Sequence, residues 1–265
     1  MRASMLYCLL GLLAVYMAPL AAHAAWWLAS DPGLRWSEAD WSSAGLLPPA
    51  QHLPEPLVHV YAARTGRWKG IFAHHCWIVV KERGAAHYSR FDMVAWGRPI
   101  KVDSWPVDGR WYGHAPILVG ACEGAAAAPL IPRIRAAVRG CPYNRSGAYA
   151  AWPGPNSNSF VAYVLAQVPE LHIALPPTAV GKDWRALLDS IGLTPSRTGI
   201  QLSLGGIIGL SIGWVEGLEV NLLGLVAGID ARRPAVKLPG FGRIGVNGRA
   251  DRTPARRLAL RRALG

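Results

Sequence analysis

Two short stretches of this 265-residue chain hold residues whose types and spacing suit nucleophilic chemistry. In Ala73-His74-His75-Cys76-Trp77-Ile78-Val79-Val80-Lys81 a histidine stands at the head of an apolar run of strand type. In Trp152-Pro153-Gly154-Pro155-Asn156-Ser157-Asn158-Ser159-Phe160 a serine stands just before an apolar run at helical spacing: Phe160, Val161, Val164, Leu165 and Val168. A hydroxyl at a helix N-terminus gains from the helix dipole, which favours developing negative charge. A histidine within reach takes its proton, and a third polar group orients the ring. Ser157 is therefore the candidate nucleophile and His75 the candidate base. His87, expected on the neighbouring strand, is the first candidate for orienting the ring, and Asp92 is the second. Asn156, or a backbone N–H at the helix start, would steady an oxyanion. Each residue also has a plainer role. Asn156, Ser157 and Asn158 are all good helix caps. His75 suits a core position beside Trp77, and His87 suits an exposed strand.

Strand geometry narrows the choice of nucleophile. Adjacent strand residues point to opposite faces, so Cys76 is not the partner of His75. His74 and Cys76 share the other face, so a pair between those two is geometrically possible, on the side away from His75. Tyr88, Arg90, Lys182 and Asp183 are polar residues that a pocket would use, though nothing in the sequence fixes their place.

The elements that must carry these residues form an α+β pattern. Val58–Ala62, Gly70–Lys81, His87–Trp96 and Ile100–Asp103 read as strands of an antiparallel meander. A helix is expected from about Ala126 to Arg139, and the Asn156-Ser157 helix ends at Pro169. Farther on, alternation around Gly205-Gly206 reads as a hairpin, and Leu218–Leu222 as another strand. The expectation is an antiparallel sheet packed on the Ser157 helix, plus a Gly-rich C-terminal β hairpin.

Composition sets the setting. With 51% hydrophobic and 17% charged residues the chain has ample core. Arg2, the uncharged run from Ala3 to Leu20, and Ala22-His23-Ala24 read as a secretory signal. Ala25-Trp26-Trp27-Leu28-Ala29 prolongs the run towards a membrane anchor instead. Both place the rest of the chain outside the cytoplasm, in the periplasm of a bacterial source. The expected organisation is 1–24 signal or anchor, 25–56 a Pro-rich neck, 57–245 a single domain and 246–265 a basic tail. That tail holds six arginines against Asp251, about half of the +12 net charge, and suits anionic lipid. No zinc-finger or RNP-type motif points to nucleic acid. Neither a phosphate loop, a dinucleotide fingerprint nor a metal-ligand cluster implies a cofactor. Cys122 and Cys141 flank one helix; a bridge between them would leave Cys76 as a buried thiol, and the sequence does not decide whether they pair.

At these residues the chain resembles a bacterial family, domain of unknown function 3750. The matching stretches are Tyr61-Ala62-Ala63-Arg64-Thr65, His75-Cys76-Trp77-Ile78, Trp152 to Phe160, Pro176 to Asp183, Glu219 to Gly224 and Lys237-Leu238-Pro239-Gly240. More remotely, it is similar to the circularly permuted papain-like group that includes lecithin–retinol acyltransferase and relatives of the NlpC/P60 peptidases. There a histidine strand precedes an Asn-Cys-x-x-Phe helix. Here Asn156-Ser157-Asn158-Ser159-Phe160 has serine where that group has cysteine. A serine hydroxyl is far less acidic than a thiol, so it needs a well-placed base and an oxyanion hole. The resemblance thus implies either a serine-dependent hydrolase or acyltransferase acting on a lipid- or peptidoglycan-linked amide or acyl ester, or an envelope module that binds lipid, glycan or peptide in a cleft without chemistry.

Overall fold

The computed structural model describes residues 2–245, apart from the side chains of residues 2–6, 8 and 9; the expected basic tail lies outside the described residues. It is an α+β structure with two antiparallel sheets and few helices. The chain opens with α1 (Arg2–Ser30), whose stretch Leu10–Ser30 is long and apolar enough to cross a membrane.

The first sheet holds β1 (Leu57–Arg64), β2 (His74–Lys81), β3 (Ser89–Met93), β4 (Ile100–Val102) and β5 (Ile117–Glu123), in the order β4-β3-β2-β1-β5. The β-branched run Ile78-Val79-Val80 suits a central strand, and every residue of β2 is buried. Both faces of the sheet are covered. Val60, Cys76, Ile78 and Phe91 face α2 (Leu130–Arg139) and α3 (Ser157–Gln167), which contribute Ile131, Ile134, Phe160, Val161 and Val164. On the other face Tyr61, Trp77, Val79 and Trp111 pack together with Trp41, Leu46, Leu47 and Leu53. Residues 31–56 thus lie on the sheet. Asp108 fastens them there, accepting from Ser43 Oγ at 2.6 Å and from the Leu46 backbone N–H at 2.5 Å.

The second sheet holds β6 (Ile191–Leu193), β7 (Gly199–Leu204), β8 (Ile208–Gly213), β9 (Gly217–Leu222), β10 (Leu225–Asp230), β11 (Ala235–Leu238) and β12 (Gly242–Gly245). They form a seven-stranded antiparallel meander in reverse chain order. The expected hairpin is β7–β8, and the expected strand is β9; the other four strands extend them. Gly205 and Gly206 turn β7 into β8 at φ 61° and 77°, values that glycine adopts without steric cost. Inside this sheet Glu219 accepts from Lys237 at 2.5 Å and from Lys182, while Asp183 accepts from Lys182 at 2.8 Å. All four groups are buried, and their charges are satisfied by one another.

Some boundaries differ from expectation. The third strand starts at Ser89 rather than His87, because the turn after Lys81 runs on through a bend. The helix expected from Ala126 begins at Leu130, after a short 3-10 turn at Gly124–Ala126. Cys122 and Cys141, whose pairing the sequence leaves open, are both free thiols. Cys122 sits on β5 and Cys141 follows the C-terminus of α2.

Candidate active site

His75 and Asp92 project from β2 and β3 onto the face that carries Trp77. His75 Nε2 lies 2.9 Å from Asp92 Oδ1. Arg90, two residues before Asp92 and so on the same face, grips that carboxylate with two bonds: Nε to Oδ2 at 2.7 Å and a terminal nitrogen to Oδ1 at 2.9 Å. The other terminal nitrogen donates to Pro106 O at 2.6 Å, and the guanidinium lies 4.0 Å from the Trp77 ring centre. Trp111 stacks flat on the His75 ring at 3.8 Å and 7°. The imidazole is therefore fixed by a hydrogen bond at one corner and by a ring on one face.

The electrostatics set its protonation. Burial works to raise the Asp92 carboxyl; the Arg90 charge, with hydrogen bonds from His75 and Arg90, outweighs it and holds the group below its ordinary value. Burial pulls the His75 imidazole below its ordinary value, against the bond and charge of Asp92. The pair at neutral pH is thus a carboxylate and a neutral ring. A carboxylate only accepts, so Nε2 carries the ring proton and Nδ1 is the basic nitrogen.

The start of α3 is built around two asparagines. Asn156 is the N-cap: its Oδ1 accepts from Asn158 N at 2.9 Å and Ser159 N at 3.2 Å, and Ser159 Oγ accepts in return from Asn156 N at 3.2 Å. Its Nδ2 donates to Ala151 O and Val180 O, both at 3.0 Å. The Asn156 side chain is fully used in holding the helix, so it has no N–H left to donate to an oxyanion. Asn158 does a different job. β3 pairs with β2 only over Ile78 to Val80, so the β2 edge is open at its beginning. The Asn158 carboxamide fills that gap, donating to His74 O at 2.9 Å and accepting from Cys76 N at 3.1 Å. It thereby ties the start of α3 to the strand that carries His75.

Ser157 is the first residue of α3, between these two anchors. Among the described residues no hydrogen bond joins it to His75. Ser157 and His75 line the same cavity of about 650 Å³, together with Asn156, Trp68, Phe72, Trp96, Trp111 and Trp152. His75 presents to the Trp77 side of the sheet while α3 packs on the other side, and the cavity is lined by both beside the start of β2, where Asn158 bridges helix and strand. Leu20 of α1 and Leu223 of the β9–β10 turn complete its wall.

Other expected residues fall elsewhere. His87 is exposed in the bend before β3. Asp92, not His87, bonds His75. Continuing the register in which Ile78 faces Phe91, His87 would stand opposite Glu82, past the end of the pairing. Tyr88 donates to Pro48 O at 2.9 Å, and Lys182 and Asp183 belong to the ion cluster of the second sheet. Cys76 is buried on the α3 side, where burial pushes its thiol far up, and burial drives His74 well below its ordinary value. The Trp111 stack had no local signal: it comes from a loop closed over β2.

The assembly is an α+β domain with a histidine–carboxylate pair and a helix-initiating serine on one apolar cavity. Residues 55–184 match the model of a protein family described as protein of unknown function (DUF3750); the match takes in His75, Asp92 and Ser157 and four of the motif stretches, while Glu219 to Gly224 and Lys237 to Gly240 lie outside it. The comparisons with curated proteins and with solved structures each give no match.

Proposed function

We propose that the chain is a membrane-anchored, envelope-facing hydrolase or acyltransferase that uses Ser157 on acyl esters or amides, on a variant of the permuted papain-like plan. The observation that carries this reading is the shared cavity of Ser157 and the His75–Asp92 pair. In the step envisaged, Ser157 Oγ attacks the carbonyl carbon as its proton passes to His75 Nδ1. The C–O π pair moves to the carbonyl oxygen, which the Ser157 backbone N–H and the helix dipole steady. Collapse expels the alcohol or amine, which takes the proton from His75 and leaves an acyl-serine. Water or an acceptor hydroxyl or amine, deprotonated by the same ring, then releases the acyl group and restores Ser157.

The aromatic walls favour an apolar acyl group, as in lipid-linked substrates. Retention of α1 is supported by its packing. His23 and Trp27 lie on either side of Ala24 and are both buried against the domain, with Trp27 Nε1 donating to Arg67 O at 3.1 Å. Cleavage after Ala24 would divide that contact. The lack of a hydrogen bond between His75 and Ser157 favours a second reading, a module that binds an apolar ligand in this cavity without chemistry. Hydrolysis of p-nitrophenyl esters of increasing chain length separates the two. Turnover that is lost in both Ser157→Ala and His75→Ala supports the enzyme. Ester binding without turnover in the wild type supports the module.

A further inference from the structure

The second sheet has its polarity reversed. One row of side chains runs through all seven strands by direct cross-strand partners: Leu193, Ile200, Ile212, Leu218, Ile229, Val236 and Ile244. Ile200, Ile212 and Ile229 are 58%, 56% and 53% exposed, so this row faces outwards. Beside it runs a second row, Ile191, Leu202, Leu210, Val220 and Ala227. Neither row contains a charged or polar residue. The residues between them, Gln201, Ser211, Glu219 and Lys237, point inwards and are buried. A sheet with one wet face ordinarily shows the opposite arrangement, with apolar residues in and polar residues out.

The same sheet carries α1. Tyr16 donates its hydroxyl to Val220 O at 2.7 Å, and His23 packs against Phe241 in the β11–β12 turn. Tyr16 and Trp27, both buried, lie within the membrane-length stretch Leu10–Ser30. At 1.5 Å per residue they are roughly 16 Å apart along the helix, about half of a hydrocarbon core of roughly 30 Å. If Leu10–Ser30 spans the bilayer, the domain packed along Tyr16 to Trp27 must reach bilayer depth. A charged or polar outer surface would be expelled from there, and this sheet has none on its two outward rows.

We infer that the outward face of the second sheet is a lipid-docking surface, seated in the acyl-chain region of the leaflet that α1 enters. α1 and the sheet together form one continuous apolar contact with the bilayer. Trp214, 64% exposed at the β8–β9 turn, is the type of residue that marks the interface with headgroups. This inference shares the retained α1 with the reading above but is independent of chemistry at Ser157.

The test uses the full chain in phosphatidylcholine–phosphatidylglycerol vesicles. Ile212→Cys, Ile229→Cys and, as a control on the first sheet, Ile117→Cys are each labelled with an environment-sensitive fluorophore, after Cys8→Ser and Cys122→Ser. All three positions are about half exposed, so the fold tolerates them. Doxyl-labelled lipid should quench the probes at 212 and 229 at least twofold more than the probe at 117. The three reporters are independent, so one misfolded variant leaves two readings, and repeating the measurement with Ser157→Ala should change nothing. Equal quenching at all three positions overturns the inference. So does a blue-shifted, unquenched signal at 212 with crosslinking between two copies, which would make the face a dimer contact instead.

Discussion

The two sheets of this molecule are built from similar alternating strands and use them in opposite ways. The first is apolar on both faces and covered on both, by α2 and α3 on one side and by residues 31–56 and the Trp111 loop on the other. Of its buried charges, Arg90 and Asp92 are grouped around His75, while Lys81, at the far end of β2, donates to the Leu53 carbonyl. The second keeps Glu219, Lys182, Asp183 and Lys237 inside and leaves isoleucines and leucines outside. In the first sheet buried charge accompanies a histidine that opens to a cavity. In the second it holds an interior together while the apolar side faces outwards. Alternation identifies a strand; only the surroundings decide which of its faces is the inside.

That contrast can be broken by mutation. The largest effect is expected where one partner of a buried ion pair is removed. Asp92→Asn and Glu219→Gln should each cost about 3–5 kcal/mol in denaturant unfolding, because a buried cation is left uncompensated. Only Asp92→Asn should also abolish turnover at matched folded fraction; loss of turnover in both would erase the distinction between the sheets. Next in size, Ile134→Ala on α2 should cost about 3 kcal/mol, since Ile134 is fully buried. The same change at Ile212 should cost less than about 0.5 kcal/mol in detergent. Comparable losses at the two sites would mean that the second sheet's outer face is packed against protein.

The histidines make the first sheet acid-sensitive. His74 and His75 both have folded-state values below the unfolded one, so the unfolded chain binds more protons once the pH drops below about 6.5. Stability is then complete above that pH and falls as acid is added, by up to about 1.4 kcal/mol per pH unit for each ring. Asp92, shifted down as well, stays ionised through this window and keeps its share until below its ordinary value near 3.8. Unfolding curves between pH 7 and 5 check this, and replacing His74 by glutamine should flatten the slope. The acid limb of turnover should likewise lie below pH 6.5. A limb above 6.5 would contradict a ring held neutral by burial. The smallest effect is local: Asn156→Ala removes the N-cap and should cost about 1 kcal/mol, read by thermal unfolding.

Much of the first sheet and of the site was legible. The apolar run after His75 required a buried strand, and Asn156 before Phe160 required a capped helix. These signals are local, so sequence carries them. What was not legible depended on register and on distant chain. Asp92 displaces His87 as the partner of His75 because the β2–β3 turn is long enough to move His87 off the sheet. Trp111 reaches the ring from a loop some thirty-five residues away. β5 was missed as the edge strand beside β1 because its strand-forming run, Ile117-Leu118-Val119, is short and gives way to Gly120, Ala121 and Cys122, which have no strong strand preference. In the second sheet the alternation was visible in β7, β8 and β9. The burial of its polar half was not, since that follows from Lys182 and Asp183 arriving from outside the sheet.

The account's central claim is that Ser157 is a nucleophile activated by His75. A fluorophosphonate probe, followed by peptide mass spectrometry, tests it most directly. The adduct should map to the peptide that contains Ser157 and should disappear in Ser157→Ala, and labelling should fall at least a hundredfold in His75→Ala. An unlabelled wild-type protein, or an adduct on another serine that survives both substitutions, would contradict it.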